Sequence, residues 1–104
     1  MALRVRVCPL AAIVDDELRA FAVTGVTWPV LVTRLAGELV AVPSVCPHED
    51  VSLAGGEFAG GVVVCPGHGY AFDVRTGRCG HDAGLLLRRY PVTVVDGDVW
   101  VDLL

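Results

Sequence analysis

Residues 46–73 read CPHEDVSLAGGEFAGGVVVCPGHGYAFD. Two short ligand arms stand out, Cys46-Pro47-His48 and Cys65-Pro66-Gly67-His68, with sixteen residues between them. Each arm offers a thiolate first and an imidazole next, and a proline follows each cysteine. The proline stiffens the turn and removes one backbone donor. Other N–H groups of such a tight loop are then left to point at the sulfurs.

The order of the donors bears on which metal the pair can hold. A mononuclear zinc site commonly spends a C-x-x-C pair on one knuckle and an H-x-H pair on the other. Here each arm is mixed, which suits a two-iron centre in which two cysteines hold one metal and two histidines hold the other. Two loops lying side by side, each sending Cys inward and His outward, would serve both irons symmetrically. A structural zinc module stays open as the alternative. So does the bland reading of Cys46 and Cys65 as small buried hydrophobes, although it leaves both mixed arms and both prolines to accident.

The stretch resembles the signature of Rieske-type ferredoxins, and the likeness runs through Leu53, Gly55, Gly61, His68-Gly69, Phe72-Asp73 and Thr76-Gly77. It implies one [2Fe–2S] cluster held by Cys46, His48, Cys65 and His68. It also implies an all-β fold of stacked small antiparallel sheets, with the two cluster-binding loops at one end. The implied role is electron carriage, without a catalytic site, from a flavin-dependent ferredoxin reductase to the terminal oxygenase of a ring-hydroxylating system. A small Rieske-like subunit of an assimilatory nitrite reductase and the ferredoxin of a diiron monooxygenase fit the same resemblance.

High-potential members of the family join their ligand loops by a disulfide, and the corresponding positions here are Val51 and Gly67. They also place Ser and Tyr hydroxyls on the cluster sulfurs, where this chain has Tyr70 and Phe72. Fewer donors to sulfur disfavour the reduced, more negative cluster, so the expected potential is at the low end of the Rieske range. One departure concerns the segment after Thr76-Gly77. Family members commonly cover the cluster there with a proline-bearing loop, whereas Arg78–Gly84 holds none. Cys79 and His81 in that loop imitate a third arm, but the four-ligand set is already full, so they are expected to be a semi-buried thiol and an exposed loop residue.

Outward from this stretch, the chain reads as strands and turns. Residues 3–7 alternate as a half-buried strand ended by Pro9, and Leu10–Arg19 suggests a turn or short helix. Ala20–Val23 is a candidate strand. Pro29–Arg34 and Glu38–Val42 form a hairpin over Ala36-Gly37, and Pro43 delivers the chain to the first arm. Leu53–Gly61 is a glycine-rich connector anchored by Phe58. Val62–Val64 leads into Cys65, and Tyr70–Asp73 returns as its partner. Val92–Val95 and Asp98–Leu103 close a last hairpin over Asp96-Gly97.

At 104 residues the expectation is one domain over 1–104. A net charge of −4 argues against a nucleic-acid partner. Nothing reads as a signal peptide or an 18-residue apolar span, so a soluble cytoplasmic monomer without a membrane anchor is expected. Cys8 and Cys79 are expected to be free thiols in a reducing compartment. Acidic residues flank the arms (Glu49, Asp50, Glu57, Asp73, Asp82), as an ordinary solvated face or as a docking patch. Trp28 and Trp100 read as core or rim residues.

Overall fold

The computed structural model describes residues 3–47, 51–67 and 69–103. Among the described residues nine strands form three three-stranded antiparallel sheets. β1 (Arg4–Pro9), β8 (Val92–Val95) and β9 (Asp98–Asp102) make one sheet, in the order β1-β9-β8. β2 (Arg19–Phe21), β3 (Val30–Leu35) and β4 (Glu38–Pro43) make the second, with β3 central. β5 (Phe58–Ala59), β6 (Val62–Val64) and β7 (Ala71–Asp73) make the third.

The β2–β4 sheet lies between the other two because β3 and β4 are apolar on both faces. Side chains alternate along a strand with a period of two. Val30, Val32 and Ala41 accordingly join a core with Val7, Cys8, Ile13, Val99 and Val101 of the first sheet and its turn. Leu31, Leu35, Val40 and Val42 join a second core with Val63, Phe72, Val74 and Leu87, which also holds Cys46, Cys65 and Cys79. A continuous apolar run is what a strand buried on both faces requires. Tyr90 bridges the first and second sheets, its N–H donating to the Ala41 carbonyl at 2.8 Å.

Both long hairpins turn through two left-handed residues, Ala36-Gly37 (φ 51° and 81°) and Asp96-Gly97 (φ 50° and 77°). Such turns match the twist of the strands they join. Two features depart from the sequence expectation. β1 runs through Pro9, and its alternation breaks at a bulge between Arg6 and Cys8, so Val7 and Cys8 are both buried. The connector after the first arm is more ordered than its glycines suggest, with a single 3-10 turn at Leu53–Gly55 and the short strand β5. Cys8 and Cys79 are free thiols, and Cys79, at 8% exposure, is buried rather than half-buried.

Candidate metal centre

The two arms are built as the same device. After β4, Val45 and Ser52 pair as an antiparallel bridge, and the Cys46 N–H donates to the Val51 carbonyl at 2.9 Å. In the second arm Val64 pairs with Ala71, and the Cys65 N–H donates to the Tyr70 carbonyl at 2.8 Å. Each cysteine thus sits where a strand pair opens into a loop, closed by a bond to the carbonyl five residues on. Both are buried, at 3% and 1% exposure, in one apolar cluster, while Pro47 and Pro66 face solvent.

Backbone contacts lash the arms together. Leu53 N–H donates to the Ser44 carbonyl at 2.6 Å, and the Ser52 hydroxyl accepts from Ala54 N–H, so the chain leaves the first arm in a 3-10 turn. It then passes against β6, where Val64 N–H donates to the Glu57 carbonyl at 2.9 Å. At Gly56 the approach is so close that a Cβ would collide with the Val64 carbonyl oxygen. Val64 immediately precedes Cys65, so this contact sets the second arm against the exit of the first. The absence of a side chain at position 56 is what allows it.

The 76–81 segment adds a further edge beside the second arm. Asp73 N–H donates to the Arg78 carbonyl and Gly80 N–H to the Ala71 carbonyl, both at 2.9 Å, with Phe72 opposite Cys79. Gly77 supports it at φ 79°, where a Cβ would collide with the Leu87 carbonyl oxygen. The expected exposed position of His81 holds, but its ring stacks on Tyr70, with centroids 5.4 Å apart. Phe72 is wholly buried beneath the arm. An open cleft of about 600 Å³ flanks this edge, lined by Val62, Ala71, Asp73, Thr76, Arg78 and Cys79, and neither arm cysteine lines it.

His48 and His68, the two imidazoles of the arms, lie outside the described residues, as do Glu49 and Asp50. Among the described residues no group of three metal donors gathers elsewhere. The donor chemistry present fits an iron–sulfur group: two thiols on equivalent loops, drawn into one dry cluster. Ser44, two residues before Cys46, adds a wholly buried hydroxyl with no hydrogen-bond partner among the described residues. Buried orphaned hydroxyls are rare in a complete protein interior. Two of the flanking carboxylates have local work: Asp73 accepts from Arg75 N–H at 2.9 Å and Asp82 from Gly84 N–H at 2.8 Å.

The family model of the Rieske [2Fe-2S] domain matches residues 4–91. The chain belongs to the Rieske family. Among its relatives, the ferredoxin component of an alkene monooxygenase system from Xanthobacter autotrophicus is 32% identical over 98 residues, covering 93% of this chain and 79% of that protein. The Sphingomonas yanoikuyae B1 ferredoxin superposes with a TM-score of 0.82 at 29% identity, covering 98% of this chain and all of that one. A chain in the complex of reduced oxygenase and oxidized ferredoxin in carbazole 1,9a-dioxygenase gives a TM-score of 0.80 at 30% identity, covering 95% of this chain and 92% of its own. This Rieske protein is a ferredoxin, an electron carrier with one [2Fe–2S] cluster rather than a catalytic subunit.

The two cysteine loops are legible in the sequence, but what joins them is not. Gly56 and the Ser52 cap left only the Gly55-Gly56 pair as a signal. The contacts of His81 left none, because they depend on where the chain returns after Thr76-Gly77.

Proposed function

We propose that Cys46 and Cys65 hold one iron of the cluster and His48 and His68 the other. We further propose that the ferredoxin takes single electrons from a flavin-dependent reductase and delivers them to a terminal oxygenase. The observation that carries the ligand assignment is the equivalence of the arms: two buried cysteines, each closed by the same hydrogen bond to the residue five positions on. When bound, the cluster supplies a one-electron couple. The chain's own contribution is to bury the thiolates, exclude water from them and hold the two loops in register through Gly56 and Val64.

The oxygenase partner is supported by the likeness to a chain in the carbazole 1,9a-dioxygenase complex of reduced oxygenase and oxidized ferredoxin. The alkene monooxygenase relative favours a second reading, in which the partner is a monooxygenase. Among the described residues no helix is long and apolar enough to cross a membrane. The radius of gyration, 12.9 Å, matches the roughly 13 Å of one compact unit of this length. On that compactness we read residues 1–104 as one domain, and we propose that it works as a soluble cytoplasmic monomer, a state that gel filtration checks.

Reconstitution tests the role. The purified holo-ferredoxin should restore substrate-dependent NAD(P)H consumption to a flavin reductase and terminal oxygenase pair that lacks its own ferredoxin. Exposed carboxylates near the arms, Glu57 and Asp82 among them, should make that rate fall as ionic strength rises. A ferredoxin that accepts electrons from no flavin reductase, or passes none to an oxygenase, would contradict the assignment.

A further inference from the structure

The loop that follows the second arm holds a residue whose contacts exceed what a turn needs. The edge formed by residues 78–80 runs antiparallel to β7, with Phe72 opposite Cys79. In such a ladder Ala71 and Gly80 would exchange both of their N–H···O bonds. Gly80 N–H does donate to the Ala71 carbonyl, at 2.9 Å. The Ala71 N–H instead donates to Nδ1 of His81, at 3.3 Å. A side chain has taken the place of a backbone carbonyl as acceptor for a sheet donor.

The same imidazole stacks on Tyr70, with centroids 5.4 Å apart and planes 18° from parallel. The backbone N–H of His81 is directed to Sγ of Cys79 at 3.4 Å, which anchors the histidine to the buried side of its loop. One exposed residue thus grips both Tyr70 and Ala71. These two form the returning leg of the second arm, and the Tyr70 carbonyl is the acceptor that closes the loop on Cys65. The path from His81 to the loop carrying Cys65 is one stacked ring, one peptide and one hydrogen bond.

We propose that His81 is a positioning residue for the electron carrier: through Tyr70 and Ala71 it clamps the returning leg of the Cys65–His68 loop and so fixes the surroundings of the cluster. The inference rests on the reading of that loop as a cluster loop. The clamp has two separable parts. Asparagine places Oδ1 near the position of Nδ1 and keeps the acceptor without the ring. Phenylalanine keeps the ring without the acceptor.

The test uses holo-protein of the wild type and of His81→Ala, His81→Asn and His81→Phe. Two readouts are followed: the g-values of the reduced cluster by EPR, and the rate at which visible absorbance is lost in excess chelator. In His81→Ala the g-values should shift and cluster loss should accelerate about five- to ten-fold, the factor that one hydrogen bond is worth. His81→Asn and His81→Phe should each recover part of the wild-type lifetime, with Asn closer to wild-type g-values. A His81→Ala protein that matches wild type in both readouts overturns the proposal. So does one that merely melts earlier, with no shift in g-values and no rescue by Asn. Where the wild type holds iron and sulfide, either of these results sinks the clamp alone. A wild type that takes up neither sinks the cluster-loop reading and the clamp with it.

Discussion

Gly56→Ala should damage the protein far more than the same change at its neighbour Gly55. A Cβ at position 56 would collide with the Val64 carbonyl oxygen and stand 3.0 Å from its carbonyl carbon and 3.3 Å from the Leu53 oxygen. All three are backbone atoms, so no side chain can swing aside. Relief requires the segment to part from β6, which sacrifices the Val64 N–H to Glu57 bond (2.9 Å) and strains the Gly56 N–H to Leu53 bond (3.0 Å). Two hydrogen bonds at about 1 kcal/mol each, with overpacking strain of about 1–3 kcal/mol, give a loss of about 3–5 kcal/mol. Against a total of about 5–15 kcal/mol this is severe. At roughly 4 °C per kcal/mol the melting temperature should fall by about 12 °C or more. Gly55→Ala is the control: its φ lies outside the left-handed region, and its Cβ would meet only Pro66 Cγ, at 3.9 Å. That change should cost less than about 0.5 kcal/mol. Thermal melts of both variants, with visible absorbance per chain as a measure of cluster content, decide the matter. A Gly56→Ala protein that melts with wild type, or a Gly55→Ala protein equally damaged, would refute the view that this contact holds the arms in register.

Three further outcomes are expected. The Arg6 guanidinium donates to Asp98 at 3.0 Å and holds that carboxyl below its ordinary value. A depressed carboxylate contributes stability above its unfolded pKa of about 4 and loses it as pH falls through the folded value. The thermal stability of Asp98→Asn should therefore trail wild type at neutral pH by a small margin, since the pair is exposed, and converge with it in acid. A gap that widens in acid would contradict the assignment. Ala36 occupies a left-handed turn position at φ 51°. Ala36→Asn should raise the melting temperature by a few degrees, for about 0.5–1 kcal/mol, and a fall would show that the alanine is fixed by something else. Finally, Phe72 is buried without a hydroxyl and the Tyr70 ring is stacked on His81. The midpoint potential should therefore lie low within the Rieske range of about −150 to +300 mV, and a value well above zero would refute the reasoning.

Much of the fold was legible because local chemistry and tertiary placement agree. The runs Pro29–Arg34 and Glu38–Val42, parted by Ala36-Gly37, read as a hairpin, and the chain forms one there over Val30–Leu35 and Glu38–Pro43. The loops of Cys46 and Cys65 stand out in the sequence for another reason: a Cys-Pro pair followed closely by histidine has few structural uses, and the two cysteines do meet in one buried cluster. What escaped is set by long-range approach. The bulge at Arg6–Cys8 follows from pairing with β9, not from any residue in β1. Gly56 looks like one glycine among twelve until β6 is laid against it. The exposure of His81 is legible in the sequence, but its contacts are not, because its partners, Tyr70 and Ala71, are brought to it only by the reversal at Gly77. The acidic residues show the same limit, since Asp73 and Asp82 prove to cap local turns.

The most direct test of the central assignment is pulsed EPR of the dithionite-reduced protein, grown with and without ¹⁵N-histidine, alongside iron and sulfide analysis. The account predicts equal iron and acid-labile sulfide, an average g below the free-electron value, and couplings from two histidine nitrogens that vanish together with the cluster when either Cys46 or Cys65 is replaced by Ser. Couplings from one nitrogen or none, or a protein that binds zinc without sulfide, would contradict it.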